Sequence, residues 1–212
     1  MNKEVNIKPL LINLMLMIFQ GICYKISVFL EGDANLIGNL IDQKTPFNIY
    51  FIIPYVFWYF MLFIAPYYIY EKDTNSFAKY VINYIIIVII SNIIFVCYPT
   101  TVLRPIVTGN SVIENITNLV FYIDTPIRNC FPSLHCSISM LWILHCIFMK
   151  KKNKYMNIFI ILSSLTIMAS TLFIKQHVFI DLISGCAIAS LIFFITYKNK
   201  YLINKVKKML KI

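Results

Sequence analysis

The sequence predicts an all-α protein that is embedded in a membrane and crosses it six times. Hydrophobic residues make up 59% of the 212 positions and charged residues only 13%. The mean hydropathy is +0.75. A soluble domain of this size could not cover so much apolar surface with so few charges. Composition therefore excludes an ordinary soluble globular protein, and the pattern of apolar runs then predicts the individual helices.

Six apolar stretches are long enough, or nearly so, to cross the hydrocarbon core, which takes about 20 helical residues. They run over positions 10–30, 47–70, 80–98, 133–149, 156–174 and 177–197. Lys3 and Lys8 precede the first stretch in the manner of a signal peptide, but no small-x-small cleavage site is evident. We therefore expect a retained anchor. With no repeats or low-complexity linkers, residues 1–212 are predicted to form a single membrane domain.

Basic residues predict the orientation, since cytoplasmic loops carry an excess of lysine and arginine. If six helices alternate, one side carries Lys3, Lys8, Lys72, Lys79, Lys150, Lys151, Lys152, Lys154, Lys198, Lys200, Lys205, Lys207, Lys208 and Lys211. The other side carries Lys44, Arg104, Arg128 and Lys175, with Glu31, Asp33, Asp42, Glu114, Asp124 and Asp181. Both termini are therefore expected in the cytoplasm of a cell, with the loops at about 31–46 and 99–132 outside. This distribution explains the net charge of +10 without nucleic-acid binding.

The C-terminal segment from Lys198 to Ile212 has two interpretations. Its apolar residues recur at helical spacing among six lysines. It is either an amphipathic helix on the inner leaflet, with its lysines near anionic lipid, or a solvated basic tail.

Six cysteines, at 23, 97, 130, 136, 146 and 186, form neither CxxC nor a metal-ligand spacing. They are interpreted as small apolar helix residues, with a disulfide among Cys97, Cys130 and Cys136 left open.

Chemistry-bearing residues gather at the predicted outer boundary. His135 opens the fourth span and His177 the sixth, and Asp181 follows His177 by four residues, which stacks the two side chains on one helical face. A carboxylate there fixes the imidazole tautomer and makes its other nitrogen a better nucleophile. Arg104 and Arg128 lie in the preceding loop and suit the capture of phosphate oxygens. This set suits phosphoryl transfer through a phosphohistidine.

Each of these residues also has a structural interpretation. An interfacial histidine can be a buried polar group, Asp181 can cap its helix, and Arg-Pro can form a turn. His145, ten residues after His135, faces elsewhere and is interpreted as structural. Asp124 and Glu114 could orient the loop arginines or solvate the loop. The aromatic run at 55–60 is expected to pack against lipid or neighbouring helices, or to grip a lipid chain.

Three motifs together resemble the type 2 phosphatidic acid phosphatase (PAP2) superfamily. That family's motifs are K-x6-R-P, P-S-G-H and S-R-x5-H-x3-D. The segment "CYPTTVLRP" is similar to the first at Arg104 and Pro105, and "PSLH" to the second at Pro132, Ser133 and His135. The segment "STLFIKQHVFID" is similar to the third at Ser170, His177 and Asp181. The resemblance covers about 97–190 and implies a six-helix PAP2-like bundle with its catalytic core at about 80–197.

The resemblance also implies roles for these residues. His177 would be the nucleophile, oriented by Asp181, and His135 the general acid for the departing alcohol. Arg104 and Ser133 would bind the phosphate. No metal or cofactor is implied. Cys97, Leu134 and Thr171 replace the lysine, glycine and arginine of the motifs, and Lys175 and Arg128 are the candidate substitutes for the missing cations.

Three functions follow as alternatives. The first is hydrolysis of a membrane lipid phosphate or diphosphate. "FPSLH" and "ST...HxxxD" also resemble the inositol phosphorylceramide synthase branch, which implies transfer of a phospho-headgroup to an alcohol in place of water. The third is a non-enzymatic membrane protein, although transporters normally keep ionisable groups at mid-bilayer, where this chain has few. Lipid identity and oligomeric state do not follow from the sequence.

Overall fold

The computed structural model describes residues 6–212, so the predicted cytoplasmic Lys3 lies outside the described residues. Nine α-helices are present in this part of the chain. They are α1 (Lys8–Leu30), α2 (Leu40–Lys44), α3 (Ile52–Lys72), α4 (Thr74–Cys97), α5 (Val112–Ile123), α6 (Leu134–Phe148), α7 (Lys154–Phe173), α8 (Phe179–Tyr197) and α9 (Lys200–Leu210). A 3-10 turn, Ile49–Phe51, leads into α3, and two short strands, β1 (Asn35–Leu36) and β2 (Thr100–Thr101), lie in the loops.

Five of the described helical segments are long and apolar enough to cross a membrane: Lys8–Leu30, Ile49–Lys72, Thr74–Cys97, Lys154–Phe173 and Phe179–Tyr197. They coincide with five of the six predicted spans, so the all-α fold is confirmed, and the length and composition of these helices fit a membrane-embedded protein. The predicted span at 133–149 contains α6, which has only 15 residues. Such a helix rises about 22 Å, less than the roughly 30 Å of the hydrocarbon core. The sixth span therefore stays a prediction.

Helix α6 lies in the middle of the bundle. It packs against α7, α8, α4 and α3, and its core residues Ile138, Leu141 and Trp142 are completely buried. A helix that is surrounded by protein along its length does not depend on lipid for burial, which explains how a short helix can occupy the centre. By contrast, α1 packs mainly against α3 and α4 and exposes residues such as Ile22 and Phe29, as expected for a lipid-facing anchor.

The connections at one end of the bundle are tied together. Strands β1 and β2 pair in parallel, with Asn35 opposite Thr100, and this pairing places the chain that leads to Arg104. The short helix α2 begins with a capping box formed by Asn39 and Asp42. A second oxygen of Asp42 accepts a hydrogen bond of 2.7 Å from the backbone N–H of Phe179, the first residue of α8. The loop that contains α2 therefore packs against the start of α8 and holds it in place.

The opposite end of the bundle carries the start of α1 and the C-terminal segment. The ammonium of Lys8 donates to the carbonyl of Lys211 at 2.7 Å, and Lys207 donates to Asn75 at 2.9 Å. These contacts hold the C-terminal segment beside the start of α1 and the first turn of α4. The lysines that the sequence placed on one side, apart from Lys3, thus lie at this end, in its connections, in the adjoining helix ends and in α9. His135 lies at the start of α6 and His177 precedes α8, both at the other end.

Candidate active site

The turn between α7 and α8 presents His177. Lys175 adopts a left-handed conformation with a φ of 58°, and the backbone N–H groups of Gln176 and His177 both donate to the carbonyl of Thr171. These bonds reverse the chain tightly within a few residues. His177 consequently sits just outside the N-terminus of α8, where it is largely buried.

Asp181 both caps α8 and pairs with His177. Its Oδ2 atom lies 3.2 Å from Nδ1 of His177 and accepts a hydrogen bond of 3.0 Å from the backbone N–H of Val178. Asp181 is completely buried. The sequence offered two interpretations of Asp181, as a cap of its helix and as the acid that orients His177, and these contacts make the two compatible. Because the carboxylate occupies Nδ1, the nitrogen of His177 left for chemistry is Nε2.

His135 meets His177 across the gap between α6 and α8. The two ring centroids are 5.9 Å apart and the rings are tilted by 58°. The Nε2 atom of His135 is buried and has no hydrogen-bond partner among residues 6–212. The two imidazoles that lie 42 residues apart in sequence thus share one site, and one of them has a nitrogen free to exchange a proton with a ligand.

Two aromatic residues of α3 hold the ring of His135. Tyr55 stacks on it with a centroid distance of 4.6 Å and an interplanar angle of 28°. Trp58 lies at 4.2 Å and 43°. Both are almost fully buried. They belong to the aromatic run that was expected to pack against lipid or neighbouring helices, and the contact with His135 was not anticipated, because no local pattern relates α3 to the start of α6.

Ser133 fixes how α6 meets α8. Its hydroxyl accepts a hydrogen bond of 3.3 Å from the N–H of Cys136, which caps α6, and its own N–H donates to the carbonyl of Asp181 at 3.2 Å. On α8, a Cβ added to Gly185 would lie 2.5 Å from the carbonyl oxygen of Ser133. The glycine therefore permits the close helix approach that brings the two histidines together.

Arg104 lies in a polar cluster beside His177. Its guanidinium forms an ion pair with Asp124 and donates to the side-chain oxygen of Gln176. It also stacks over the ring of Phe121 at 5.1 Å. Its side chain is only 5% exposed, and its Nε atom has no partner in the described part of the chain. Asp124 was one of two acids expected to orient a loop arginine or solvate the loop. The other, Glu114, instead caps α5 through Ser111.

Arg104, Lys175 and His177 line one open cavity of about 540 Å3. The ammonium of Lys175 donates to the carbonyl oxygens of Asp42 and Thr45, so it is held at the cavity wall by the α2 loop. This cavity brings two of the predicted phosphate-binding cations to the predicted nucleophile. Its size suits a phosphate group with part of an attached alcohol.

Arg128 lies apart from that cavity lining. Its guanidinium donates to the carbonyl of Gly32 at 3.1 Å and lies 3.5 Å from a carboxylate oxygen of Glu31. Burial raises the pKa of the Glu31 carboxyl, and Arg128 acts in the opposite direction. In this conformation Arg128 binds the loop that follows α1, and its role at a phosphate stays a prediction.

Cys97 and Thr171 stand where the PAP2 motifs that this sequence resembles carry a lysine and an arginine, so these two positions supply no positive charge. Cys97 is exposed at the end of α4. Thr171 is completely buried, and its hydroxyl donates to the carbonyl of Met168 at 2.8 Å.

All six cysteines are free thiols, so the disulfide left open by the sequence does not form in this structure. Within residues 6–212 no group of three or more histidine, cysteine or acidic side chains could hold a metal ion.

Comparison with protein-family models assigns the chain to a class. The model for the PAP2 superfamily matches residues 76–205, which is more than half of the sequence. The chain therefore belongs to the PAP2 superfamily, whose membership suggests a phosphatase- or phosphotransferase-type function. No curated protein and no solved structure gives a match.

Proposed function

We propose that the protein hydrolyses a membrane lipid phosphate or diphosphate through a covalent intermediate on His177. The observation that carries this proposal is the meeting of His135 with the His177–Asp181 pair, at a ring separation of 5.9 Å, beside a cavity lined by Arg104. A nucleophile oriented by a buried acid, a second imidazole with a free nitrogen and a guanidinium are the groups that metal-free phosphoryl transfer needs.

The reaction proceeds in two displacements. Nε2 of His177 attacks phosphorus, the bond between phosphorus and the lipid oxygen breaks, and His135 gives its proton to that oxygen. Water then attacks the phosphohistidine, His135 accepts the proton of the water, and the N–P bond breaks to release phosphate. Arg104 neutralises charge on the non-bridging oxygens. In the structure this guanidinium is paired with the carboxylate of Asp124, so the substrate phosphate competes with Asp124 for Arg104.

Transfer of a phospho-headgroup to an alcohol, as in the inositol phosphorylceramide synthase-like branch, is the second candidate. Cys97 and Thr171 supply no charge, and Arg104 is already paired with Asp124. A phosphodiester carries one negative charge where a phosphomonoester carries up to two, so a site with few cations is better matched to a phosphodiester. Water and an alcohol attack the same phosphohistidine, and the acceptor decides the product.

The proposal includes a membrane arrangement. We place α6 as the sixth span, both termini in the cytoplasm and the active site toward the extracytoplasmic side of a cell membrane. The separation of the lysine-rich connections from the histidine end supports this orientation. A site at the outer boundary would receive headgroups directly from the outer leaflet.

The test is a product assay with purified protein and labelled lipids. We expect release of inorganic phosphate from a panel of phosphatidate, isoprenoid diphosphate and phosphatidylglycerol phosphate, unaffected by a chelator. His177→Ala should abolish it, whereas His145→Asn, a change of the buried histidine at the other end of α6, should not. A new phosphodiester lipid as the main product would support the second candidate. Full activity in His177→Ala, or sensitivity to the chelator, would contradict the mechanism.

A further inference from the structure

A groove at the end of the bundle opposite the histidines is lined by lysines from three connections. We call it the lysine groove, and it has a volume of about 890 Å3. Its six lysines are Lys72, Lys79, Lys150, Lys151, Lys198 and Lys200. They come from the α3–α4 turn and the start of α4, the α6–α7 connection and the α8–α9 junction. Segments distant in sequence therefore converge on one concave surface.

The lysine groove has an excess of positive charge. Among residues 6–212, two acids, Glu71 and Asp73, also line it. The carboxylate of Asp73 is engaged in capping α4, because its two oxygens accept hydrogen bonds of 2.9 Å from the N–H of Asn75 and the hydroxyl of Ser76. Clustered ammonium groups repel one another, and an anion bound among them relieves that repulsion. The ligand chemistry that fits is a phosphate-bearing anion.

Aromatic rings give the lysine groove an apolar wall. The ammonium of Lys79 lies 4.1 Å from the ring centroid of Tyr197, and that ring packs against Phe148 at 5.5 Å. Tyr197 ends the membrane-spanning helix α8, and Phe148 ends α6. The wall therefore sits where apolar helices meet the aqueous boundary, the level at which lipid headgroups lie. A ligand with both a phosphate and an acyl chain matches this surface better than a small soluble anion.

Helix α9 closes one side of the lysine groove and is itself suited to a membrane surface. Ile203 is buried against the bundle, while Tyr201 and Met209 are 77% and 72% exposed among the helix's lysines. Together with the contacts of Lys8 and Lys207 described above, this packing means that the groove is formed before a ligand arrives. The exposed apolar residues favour the inner-leaflet interpretation of the tail over a solvated one.

We propose that the lysine groove binds the headgroup of an anionic phospholipid of the adjacent leaflet. The site is separate from the histidine site and does not depend on the proposed catalytic activity. Its lysines and aromatic wall would hold the headgroup phosphate at the boundary while the acyl chains remain in the bilayer. Binding there would fix α9 and the α3–α4 turn relative to the membrane.

The test measures lipid binding to the purified full-length chain in detergent, by titration with short-chain phosphatidylglycerol and, separately, phosphatidylcholine. We expect saturable binding of phosphatidylglycerol only. Lys150→Gln with Lys198→Gln removes two exposed groove lysines from different connections and should weaken binding at least about tenfold. The matched control, Lys205→Gln with Lys208→Gln, removes the same charge from exposed positions outside the groove lining and should change binding less than about twofold.

Several outcomes would overturn the proposal. Equal weakening in the two double variants would show diffuse attraction to net charge without a site. Equal binding of phosphatidylcholine would remove the requirement for an anionic headgroup. Saturable binding of inorganic phosphate alone, with the affinity of the lipid, would assign the groove to a soluble anion. Lys150→Arg with Lys198→Arg should bind phosphatidylglycerol as the unchanged protein does, and weak binding by this variant when folded would count against a phosphate ligand.

Discussion

At the scale of single residues, Asp181 combines two tasks that can be separated. One oxygen accepts the N–H of Val178, as any helix-capping acid would, and the same oxygen holds Nδ1 of His177. An amide oxygen could still accept the first bond, but it would not carry the charge that stabilises an imidazolium. Other acids also complete capping boxes, among them Glu114 of α5, which bonds to no histidine within residues 6–212.

Asp181→Asn should therefore lower kcat by about a hundredfold or more, because the oriented nucleophile loses its charged partner. The thermal midpoint should change little, since the cap is retained. Glu114→Gln, the matched control, should leave kcat unchanged. Steady-state phosphate release and a thermal melt check both. A loss of stability without a specific loss of kcat would show that Asp181 only caps the helix.

The ring of His135 is held by aromatic faces, and this contact can be tested at Tyr55. Tyr55→Phe keeps the stacking and should leave kcat within about twofold. Tyr55→Leu removes it and should lower kcat about tenfold, since an aromatic pair contributes about 0.5–1.5 kcal/mol. The measurement is kcat across pH for both variants. Identical pH profiles of kcat for Tyr55→Phe and Tyr55→Leu would mean that aromatic stacking does not position His135.

At the scale of secondary-structure elements, the contact between α6 and α8 decides whether the two histidines meet. The α6 start donates Ser133 N–H to the carbonyl of Asp181, and Gly185 leaves room for the Ser133 carbonyl. Neither contact involves a reacting group. Changes at this crossing should therefore act on activity through geometry.

Gly185→Ala should destabilise the protein by about 2 kcal/mol, because its Cβ would overlap backbone that cannot move like a flexible side chain. Activity should fall with it as the histidines separate. Gly21→Ala is the matched control, since a Cβ there has open space. It should be neutral or slightly stabilising in a helix. Thermal melts in one detergent compare the two, and an equal effect at both glycines would contradict the packing account.

The order and approximate bounds of the long helices could be predicted from the sequence, but the contacts between distant elements could not. Runs of apolar residues predicted five spans to within six residues at either end. The spacing correctly brought His177 to Asp181, but His177 lies before the first turn of α8 and not on a face of that helix. The predicted stretch at 133–149 coincides with α6 and its two capping residues, Ser133 and Met149. The contacts of Tyr55 with His135 and of Gln176 with Arg104 depend on tertiary packing, for which no local pattern exists.

At the scale of the whole molecule, the fold separates two charged surfaces. The histidines, Arg104 and the acid-rich loops occupy one end, and the lysine groove, the start of α1 and helix α9 occupy the other. The proposed orientation follows from this separation and from the excess of lysine on cytoplasmic surfaces. A native thiol, Cys97, is exposed at the histidine end.

Cys97 should react with a membrane-impermeant maleimide added outside intact cells, whereas a cysteine introduced by Lys205→Cys in a Cys97→Ser background should react only after permeabilisation. Mass shifts on a gel report both reactions. Labelling of position 205 from outside intact cells, together with no labelling of Cys97, would show that the orientation is opposite to the proposed one. Because the two positions lie at opposite ends of the bundle, labelling of both from outside would contradict the membrane-spanning arrangement.

The most direct test of the central claim is to trap the phosphorylated enzyme. Purified protein is mixed with a lipid phosphate, quenched within milliseconds in alkali, in which phosphohistidine survives, and digested for mass spectrometry. The account predicts phosphate on His177, absent from His177→Ala. Phosphate on another residue, or turnover by His177→Ala at the normal rate, would contradict it.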